Sequence, residues 1–204
     1  MNVNKFPDRV IKIDGEKHLY FGGTAYLGLP PNKKFQKILY KNIARWGTAY
    51  GSSRNANIQL TAYEKGETFL ANFIQAEAAV TVSSGMLAGR LVLGTLKSTT
   101  AVFYHFPDTH VAISNVNSFP FFINDEINPR LLDQKIEKIC ILTDAVVSNA
   151  VKAVALSALE QIPNHKEITL VIDESHSLGI MGENGCGIYS TINLTNIQRK
   201  IMVL

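Results

Sequence analysis

Residues Thr169–Gly187 read TLVIDESHSLGIMGENGCG, and this stretch decides the fold. The apolar run 170–172 is typical of a short strand buried on both faces. Asp173 follows at the expected carboxyl end of that strand, where ligands bind in open α/β sheets. His176 lies three residues further on, before a tail with four glycines that lets the backbone pass close to a ligand. The pattern predicts a ligand site, although an N-capping Asp before a purely structural glycine loop would produce the same pattern.

The composition limits the classes of protein to which the chain can belong. Its 204 residues suffice for one α/β domain, and 46% hydrophobic with 18% charged residues excludes a disordered chain. The net charge is only +3 and the basic residues are scattered, so we predict no nucleic-acid partner. We expect no membrane span and no signal peptide, since no apolar run is long enough for either. Cys140 and Cys186 are too few for a disulfide framework, which favours a reducing cytoplasm, and Cys140 is interpreted as a core residue.

Predicted strands and helices alternate along the chain, after a β-ribbon at residues 10–19. Helices are predicted at 33–46, 59–74, 85–97, 125–138 and 153–161 and briefly after His110, and strands at 78–82, 101–106, 119–122, 139–143, 169–172 and 200–204. The apolar stripes of the first two helices comprise Ile38, Leu39, Ile43 and Trp46, and Phe69, Leu70 and Phe73. This order predicts a three-layer α/β/α fold with a mostly parallel sheet.

Three further segments carry candidate ligand contacts. Ser84, Gly85 and Met86 open a helix after a predicted strand, an arrangement that presents free backbone amides to a phosphate. The segment has neither the Walker spacing nor the dinucleotide fingerprint. Arg54, in a loop rich in Gly, Ser and Asn, could clamp a substrate carboxylate or could be an ordinary surface arginine. His110 follows a predicted strand end, where it could be functional or simply polar surface.

In order and spacing, these segments resemble the α-oxoamine synthases, pyridoxal-phosphate enzymes of the aspartate-aminotransferase fold that include 8-amino-7-oxononanoate synthase. The resemblance runs from about Tyr20 to Leu204. The markers are YLGL at residues 26–29, GSSR at 51–54, SG at 84–85, DTH at 108–110 and DESH at 173–176. No single marker is specific, but their combination is.

The resemblance implies a role for each matched position in the cofactor site. Asp173 would pair with the pyridine nitrogen and keep it protonated, so that the ring accepts electrons. His110 would stack on the ring, and His176 and Ser148 would lie by its phenolic oxygen. The backbone amides of Ser84, Gly85 and Met86 would hold the phosphate, and Arg54 would lie in the substrate loop.

The implied activity is an acyltransferase that condenses an amino acid with an acyl-CoA thioester, in a homodimer with its active site at the interface. Two alternatives share the fold: an aminotransferase, and a non-catalytic homologue or subunit that lacks the catalytic lysine. A nucleotide-binding Rossmann protein fits poorly, because the glycine fingerprint is missing. Retention of His110, Asp173 and His176 together favours a working cofactor site.

The sequence also departs from the family pattern. The lysine that binds the cofactor covalently would follow Leu204, and Lys200 lies on the wrong side of the last apolar run to replace it. We therefore expect the chain to be the first part of a longer polypeptide, with residues 1–45 as an N-terminal segment and helix and residues 46–204 as an incomplete cofactor domain. Asp144 stands where glutamate is usual, Tyr63 where many members have histidine, and Ile58-Gln59 replaces a pair that contains glycine.

Overall fold

A computed structural model describes residues 2–99, 101–114, 117–192 and 199–204. The chain forms two compact units, Met1–Gly66 and Glu67–Leu204. This division follows the compactness of the backbone. The predicted division into an N-terminal segment, residues 1–45, and a cofactor domain, residues 46–204, was based on function and stays a prediction. None of the described helices combines the length and the apolar character that a membrane span needs.

The first unit contains the predicted β-ribbon and the first helix. Strands β1 (Val10–Ile13) and β2 (Glu16–Leu19) pair antiparallel, as predicted. Helix α1 spans Lys33–Trp46, as predicted. It begins where the Asn32 side chain accepts hydrogen bonds from two backbone amides of the first turn, at 2.9 and 3.0 Å, and no residue of α1 is buried.

Helices α2 (Thr61–Phe73) and α3 (Gly85–Leu96) also form where the sequence predicts them. The predicted inward face of α2 is partly wrong, because Phe69 is 68% exposed and Ala71 is the buried residue of the helix. Helix α3 begins at Ser84, whose hydroxyl accepts a hydrogen bond from the Leu87 amide at 3.2 Å.

The main sheet of the second unit has five strands, and all four pairings are parallel. Its order is β4-β3-β7-β8-β9, and β5 and β6 form a separate antiparallel pair. The strands are β3 (Val102–His105), β4 (Phe119–Pro120), β5 (Phe122–Ile123), β6 (Glu126–Ile127), β7 (Lys138–Asp144), β8 (Glu167–Asp173) and β9 (Arg199–Val203). The predicted α/β fold with a mostly parallel sheet is confirmed.

Both faces of the sheet are covered, and alternate residues of each central strand enter different cores. In β7, Ile139 and Ile141 pack in the larger core, while Cys140 and Leu142 pack on the opposite face with Leu93 of α3. Cys140 is fully buried, which confirms its predicted core position, and burial raises the pKa of its thiol to about 12.

The predicted strand at residues 78–82 does not form. In a strand, the Thr81 amide would donate to a neighbouring strand, but here it donates to the Glu67 carboxylate. Val80 is 73% exposed, so burial does not hold the segment in a sheet either. Apolar composition alone therefore misidentified this segment.

Three predicted helices are also wrong. Positive φ angles at Asn124 and Asp125 turn the chain into the β5–β6 hairpin, and a short 3₁₀-helix, Pro129–Leu132, follows. Residues 153–161 contain a 3₁₀-helix, Leu156–Gln161, whose buried Leu156 and Leu159 lie at the three-residue spacing of that helix. After His110, the described backbone makes a single turn and no helix.

Helix α3 makes a close backbone contact at Gly89. A Cβ atom at this position would lie 2.1 Å from the Ala112 carbonyl oxygen, which no side chain tolerates. Glycine therefore lets α3 pack directly on the turn that follows His110. This contact fixes the helix relative to the end of β3.

We expect Gly89→Ala to destabilise the protein by about 1–3 kcal/mol, because the helix or the turn must move to admit the methyl group. Gly94→Ala in the same helix is the matched control, since nothing lies within 4 Å of its Cβ position. The control should stabilise the protein by about 0.5–1 kcal/mol through the helix preference of alanine. Urea unfolding of both variants measures the difference, and equal effects would contradict the packing argument.

Candidate functional site

Two buried carboxylates lie side by side where β7 and β8 end. Asp144 and Asp173 are register partners in the parallel pairing, and the Ala145 amide donates to the Asp173 carbonyl at 2.8 Å. Only 4% of Asp144 and 7% of Asp173 is exposed. Both residues continue the alternation of Leu142 and Val171, which face α3. The pair therefore occupies the strand-end position where α/β sheets bind ligands.

Two histidines, His110 and His176, interact electrostatically with Asp144 of this carboxylate pair. The His110 backbone amide donates to Asp144 Oδ1 at 3.2 Å. Burial raises the pKa of Asp144, and the charge of Asp173 raises it further. The His110 hydrogen bond and the charges of the two histidines act in the opposite direction on this pKa. The predicted site residues His110, Asp173 and His176 thus come together around Asp144, which the sequence analysis noted only as a departure.

The turn that carries His110 is fixed to the sheet by Thr109. The Thr109 hydroxyl lies 2.7 Å from the Phe106 carbonyl and 3.3 Å from the Leu142 carbonyl, so it links the ends of β3 and β7. The Ala112 amide donates to His110 Nδ1 at 3.2 Å. In this arrangement Nδ1 acts as an acceptor, and the exposed imidazole is held from its backbone side.

Two consecutive acidic residues at the end of β8, Asp173 and Glu174, have different hydrogen-bond partners. Asp173 Oδ1 accepts a hydrogen bond from the Ser175 amide at 2.9 Å, which shapes the turn leading to the half-buried His176. Glu174 is fully buried, and its carboxylate accepts hydrogen bonds from the Ser177 hydroxyl and from the amides of Ile188 and Tyr189, the last two at 3.1 and 2.9 Å. Glu174 therefore ties the glycine-rich tail back to the strand end.

Gly187 makes room for the Glu174 carboxylate. Its φ angle is +95°, and a Cβ atom there would lie 2.7 Å from the carboxyl carbon. No role for Glu174 was predicted from the sequence. An acid directly after a buried strand, followed by a glycine-rich tail that leaves space for it, was the overlooked signal.

The other predicted site residues lie in different surroundings. Ser84, Gly85 and Met86 form the exposed start of α3, and nothing lies within 4 Å of the Gly85 Cβ position. Ser148 lies in the exposed turn after β7, four residues from Asp144. Arg54 belongs to the first unit, where its guanidinium lies 4.9 Å from the centre of the Tyr63 ring. The ligand roles of all these residues stay predictions.

Comparison with known proteins gives one consistent group of relatives. The chain is 25% identical to 8-amino-7-oxononanoate synthase of Lysinibacillus sphaericus over 87% of its own length and 48% of the relative. It is 26% identical to serine palmitoyltransferase of Sphingobacterium spiritivorum over 96% of its length and 51% of the relative. No protein-family model matches the chain. The chain spans about half the length of the curated relatives it matches.

The fold has the same relatives among solved structures. A serine palmitoyltransferase variant from S. paucimobilis, solved with a bound pyridoxal phosphate–myriocin aldimine, superposes with a TM-score of 0.78. The match has 20% sequence identity and covers 93% of this chain and 50% of the other. The resemblance to the α-oxoamine synthases is confirmed by these relatives, and the superposition shows that this chain shares their fold over about half of their length.

Replacing Glu174 by glutamine should destabilise the protein by about 1–3 kcal/mol. The amide group can accept at one atom only, so at least one of the three buried donors would face an NH₂ group. The matched control is Glu183→Gln in the same tail, which is exposed and should change stability by less than about 0.5 kcal/mol. Chemical denaturation measures both values, and an unaffected Glu174→Gln protein would rule out the proposed tie.

The raised pKa of Asp144 predicts a pH-dependent effect of Asp144→Asn. The folded state holds a proton on Asp144 at pH values where the unfolded chain has lost it. The contribution of Asp144 to wild-type stability should therefore fall as pH rises from the ordinary aspartate pKa of 3.8 through the raised folded value. The asparagine keeps the acceptor for the His110 amide but does not ionise, so the variant should gain stability relative to wild type across this range.

Urea unfolding at several pH values measures this difference. Asp125→Asn is the control, since Asp125 is exposed in the β5–β6 turn and asparagine tolerates its positive φ angle. A difference between wild type and Asp144→Asn that stays constant with pH would contradict the raised pKa.

Proposed function

We propose that this chain provides the cofactor-binding part of a pyridoxal-phosphate-dependent acyltransferase, which condenses an amino acid with an acyl-CoA thioester. The enzyme would be of the 8-amino-7-oxononanoate synthase kind. The observation that carries the proposal is the buried Asp173, paired with Asp144 at the strand ends and flanked by His110 and His176. The relatives and the solved structures of the same fold support it.

The residues present fit the two ends of pyridoxal phosphate. The phosphate needs amide donors, and the first amides of α3 lack partners inside the helix while the space at Gly85 is open. The pyridine nitrogen needs a carboxylate shielded from water, and Asp173 is 7% exposed. Within the described residues, its carboxylate accepts one hydrogen bond, from Ser175, which leaves acceptor capacity for a ligand.

The proposed task of Asp173 is to keep a proton on the pyridine nitrogen. Burial and the neighbouring carboxylate raise the pKa of Asp144. A negative charge on the Asp173 carboxylate would favour a protonated ring nitrogen. When bound, the cofactor supplies an electron-accepting ring for chemistry at the carbon next to an amino group.

The remaining residues would orient the ring and the substrate. His110 is exposed at its imidazole and fixed at its backbone, which suits a side chain that covers one face of a ring. His176 and Ser148 would hold the phenolic oxygen by hydrogen bonds, and Arg54 would bind the substrate carboxylate. The backbone amides of Ser84 and Met86, at the start of α3, would donate hydrogen bonds to the phosphate.

We further propose a homodimer in the cytoplasm, with the active site at the subunit interface. One observation supports the cytoplasmic location and another supports the dimer. Both Cys140 and Cys186 are free thiols, as a reducing compartment allows. The apolar residues exposed on α1 and α2, among them Ile38, Leu39 and Phe69, would be covered in an assembly.

An absorbance spectrum of the intact natural polypeptide, recorded before and after borohydride, tests the function. We expect a visible cofactor band that borohydride abolishes, and a pyridoxyl label on a lysine that peptide mass spectrometry locates. Amino acids and acyl-CoA thioesters are then screened for release of free CoA. Absence of the band after addition of pyridoxal phosphate would overturn the enzyme proposal in favour of a non-catalytic homologue.

Asp173→Asn should lower activity by about 100-fold or more, because the neutral amide no longer stabilises a protonated ring nitrogen. The fold should survive, since asparagine keeps the size of the side chain and the acceptor for Ser175. Initial rates and circular dichroism of the variant measure the two effects, with Asp125→Asn as a control of unchanged activity. Wild-type turnover by Asp173→Asn would remove this residue from the proposed mechanism.

A further inference from the structure

Thr81 makes a double hydrogen bond to one carboxylate oxygen shortly before α3. Its backbone amide and its hydroxyl both donate to Glu67 Oε1, at 2.6 and 2.8 Å. Glu67 belongs to α2, and fourteen residues separate the two partners. Hydrogen bonds to a charged acceptor are about twice as strong as those between neutral groups. The contact therefore joins α2 firmly to the chain that leads into α3.

The segment around Thr81 is not held in a sheet. Residues 77–83 form no strand, and Val80 and Val82 are exposed. Thr81 attaches this segment to α2 through its two hydrogen bonds to Glu67. These hydrogen bonds take the place of a sheet pairing at the Thr81 backbone.

Ser84, the cap of α3, lies three residues beyond Thr81. Ser84 has an extended backbone and caps the helix, and the helix itself is fixed further along by the contact of Gly89 with Ala112. The direction in which the first amides of α3 point is therefore set from both sides. Thr81 fixes the incoming chain, and Gly89 fixes the helix.

We propose that Glu67 is a positioning residue for the phosphate of the cofactor and acts through Thr81. The inference rests on the proposed function, since the amides of Ser84, Gly85 and Met86 are assigned to the phosphate there. A carboxylate repels a phosphate, so Glu67 serves the site by holding the turn and not by touching the ligand. Its contribution is specific for the phosphate end, because the ring end is built from β3, β7 and β8.

Dissociation constants of pyridoxal 5′-phosphate and of pyridoxal, measured on the intact natural polypeptide by equilibrium dialysis, test this role. Pyridoxal has the same ring and lacks the phosphate, so the ratio of the two constants reports the phosphate contacts alone. Glu67→Ala should weaken binding of the phosphorylated ligand by about 10-fold and leave pyridoxal binding unchanged. Glu67→Gln keeps an acceptor at Oε1 and should restore binding to within about twofold of wild type.

Two further variants complete the design. Thr81→Val removes the hydroxyl donor at nearly constant shape and should shift the ratio by about 3-fold, even if Glu67→Ala folds poorly. Glu64→Ala, on an exposed position of the same helix, should leave the ratio unchanged.

The outcomes separate this inference from the function on which it rests. A wild-type protein that binds the phosphorylated ligand no better than pyridoxal would overturn the proposed function and, with it, the role of Glu67. A wild type with a clear preference for the phosphate, together with unchanged ratios in Glu67→Ala and Thr81→Val, would overturn the role of Glu67 alone. Equal weakening of both ligands would also overturn it, since that result indicates general structural damage.

Discussion

The parallel pairing of β7 with β8 is the constraint on which the rest of the structure depends. Its register sets Asp144 beside Asp173, and the alternation of side chains sends the residues before them into two separate cores. A slip by one residue would exchange the two cores and separate the carboxylates. The apolar packing of the whole sheet therefore stabilises an arrangement of two neighbouring acids that electrostatics alone disfavours.

The end of β8 shows how consecutive residues serve opposite sides of a sheet. Asp173 shares the face of α3, whereas Glu174 reaches the other face, where Ile188 and Tyr189 belong to or pack on the larger core. A buried carboxylate is costly unless donors surround it, and three donors from the tail meet this need. The end of β8 thus supplies both Asp173 of the candidate site and Glu174, whose buried hydrogen bonds hold the glycine-rich tail. Gly187 leaves the space that the Glu174 carboxylate occupies.

Sequence patterns predicted the elements whose signals are local. Helix α1 has its Asn32 cap, and β7 and β8 have continuous apolar runs, so all three formed as expected. One failure was local, because an apolar pair three residues apart fits a 3₁₀-helix as well as an α-helix. The failure at Thr81 depended on a distant contact, since Glu67 satisfies this segment instead of a neighbouring strand. The importance of Asp144 and Glu174 was also missed because of distant contacts. Asp144 pairs with a residue 29 positions away, and Glu174 accepts a hydrogen bond from a residue 14 positions away.

The start of α3 and the carboxylate pair, which the proposed function assigns to one site, are electrostatically opposite. The first turn of α3 carries the positive end of the helix dipole, and the pair of acids carries negative charge in a buried position. Under the proposed function, the site would complement a ligand with an anionic group at one end and a protonated nitrogen at the other. Gly89 on Ala112 and Thr81 on Glu67 fix the helix, while the sheet register fixes the acids. In the proposed enzyme, selection for such a ligand would follow from the separate anchoring of the two ends of its site, before any residue contacts the reacting atoms.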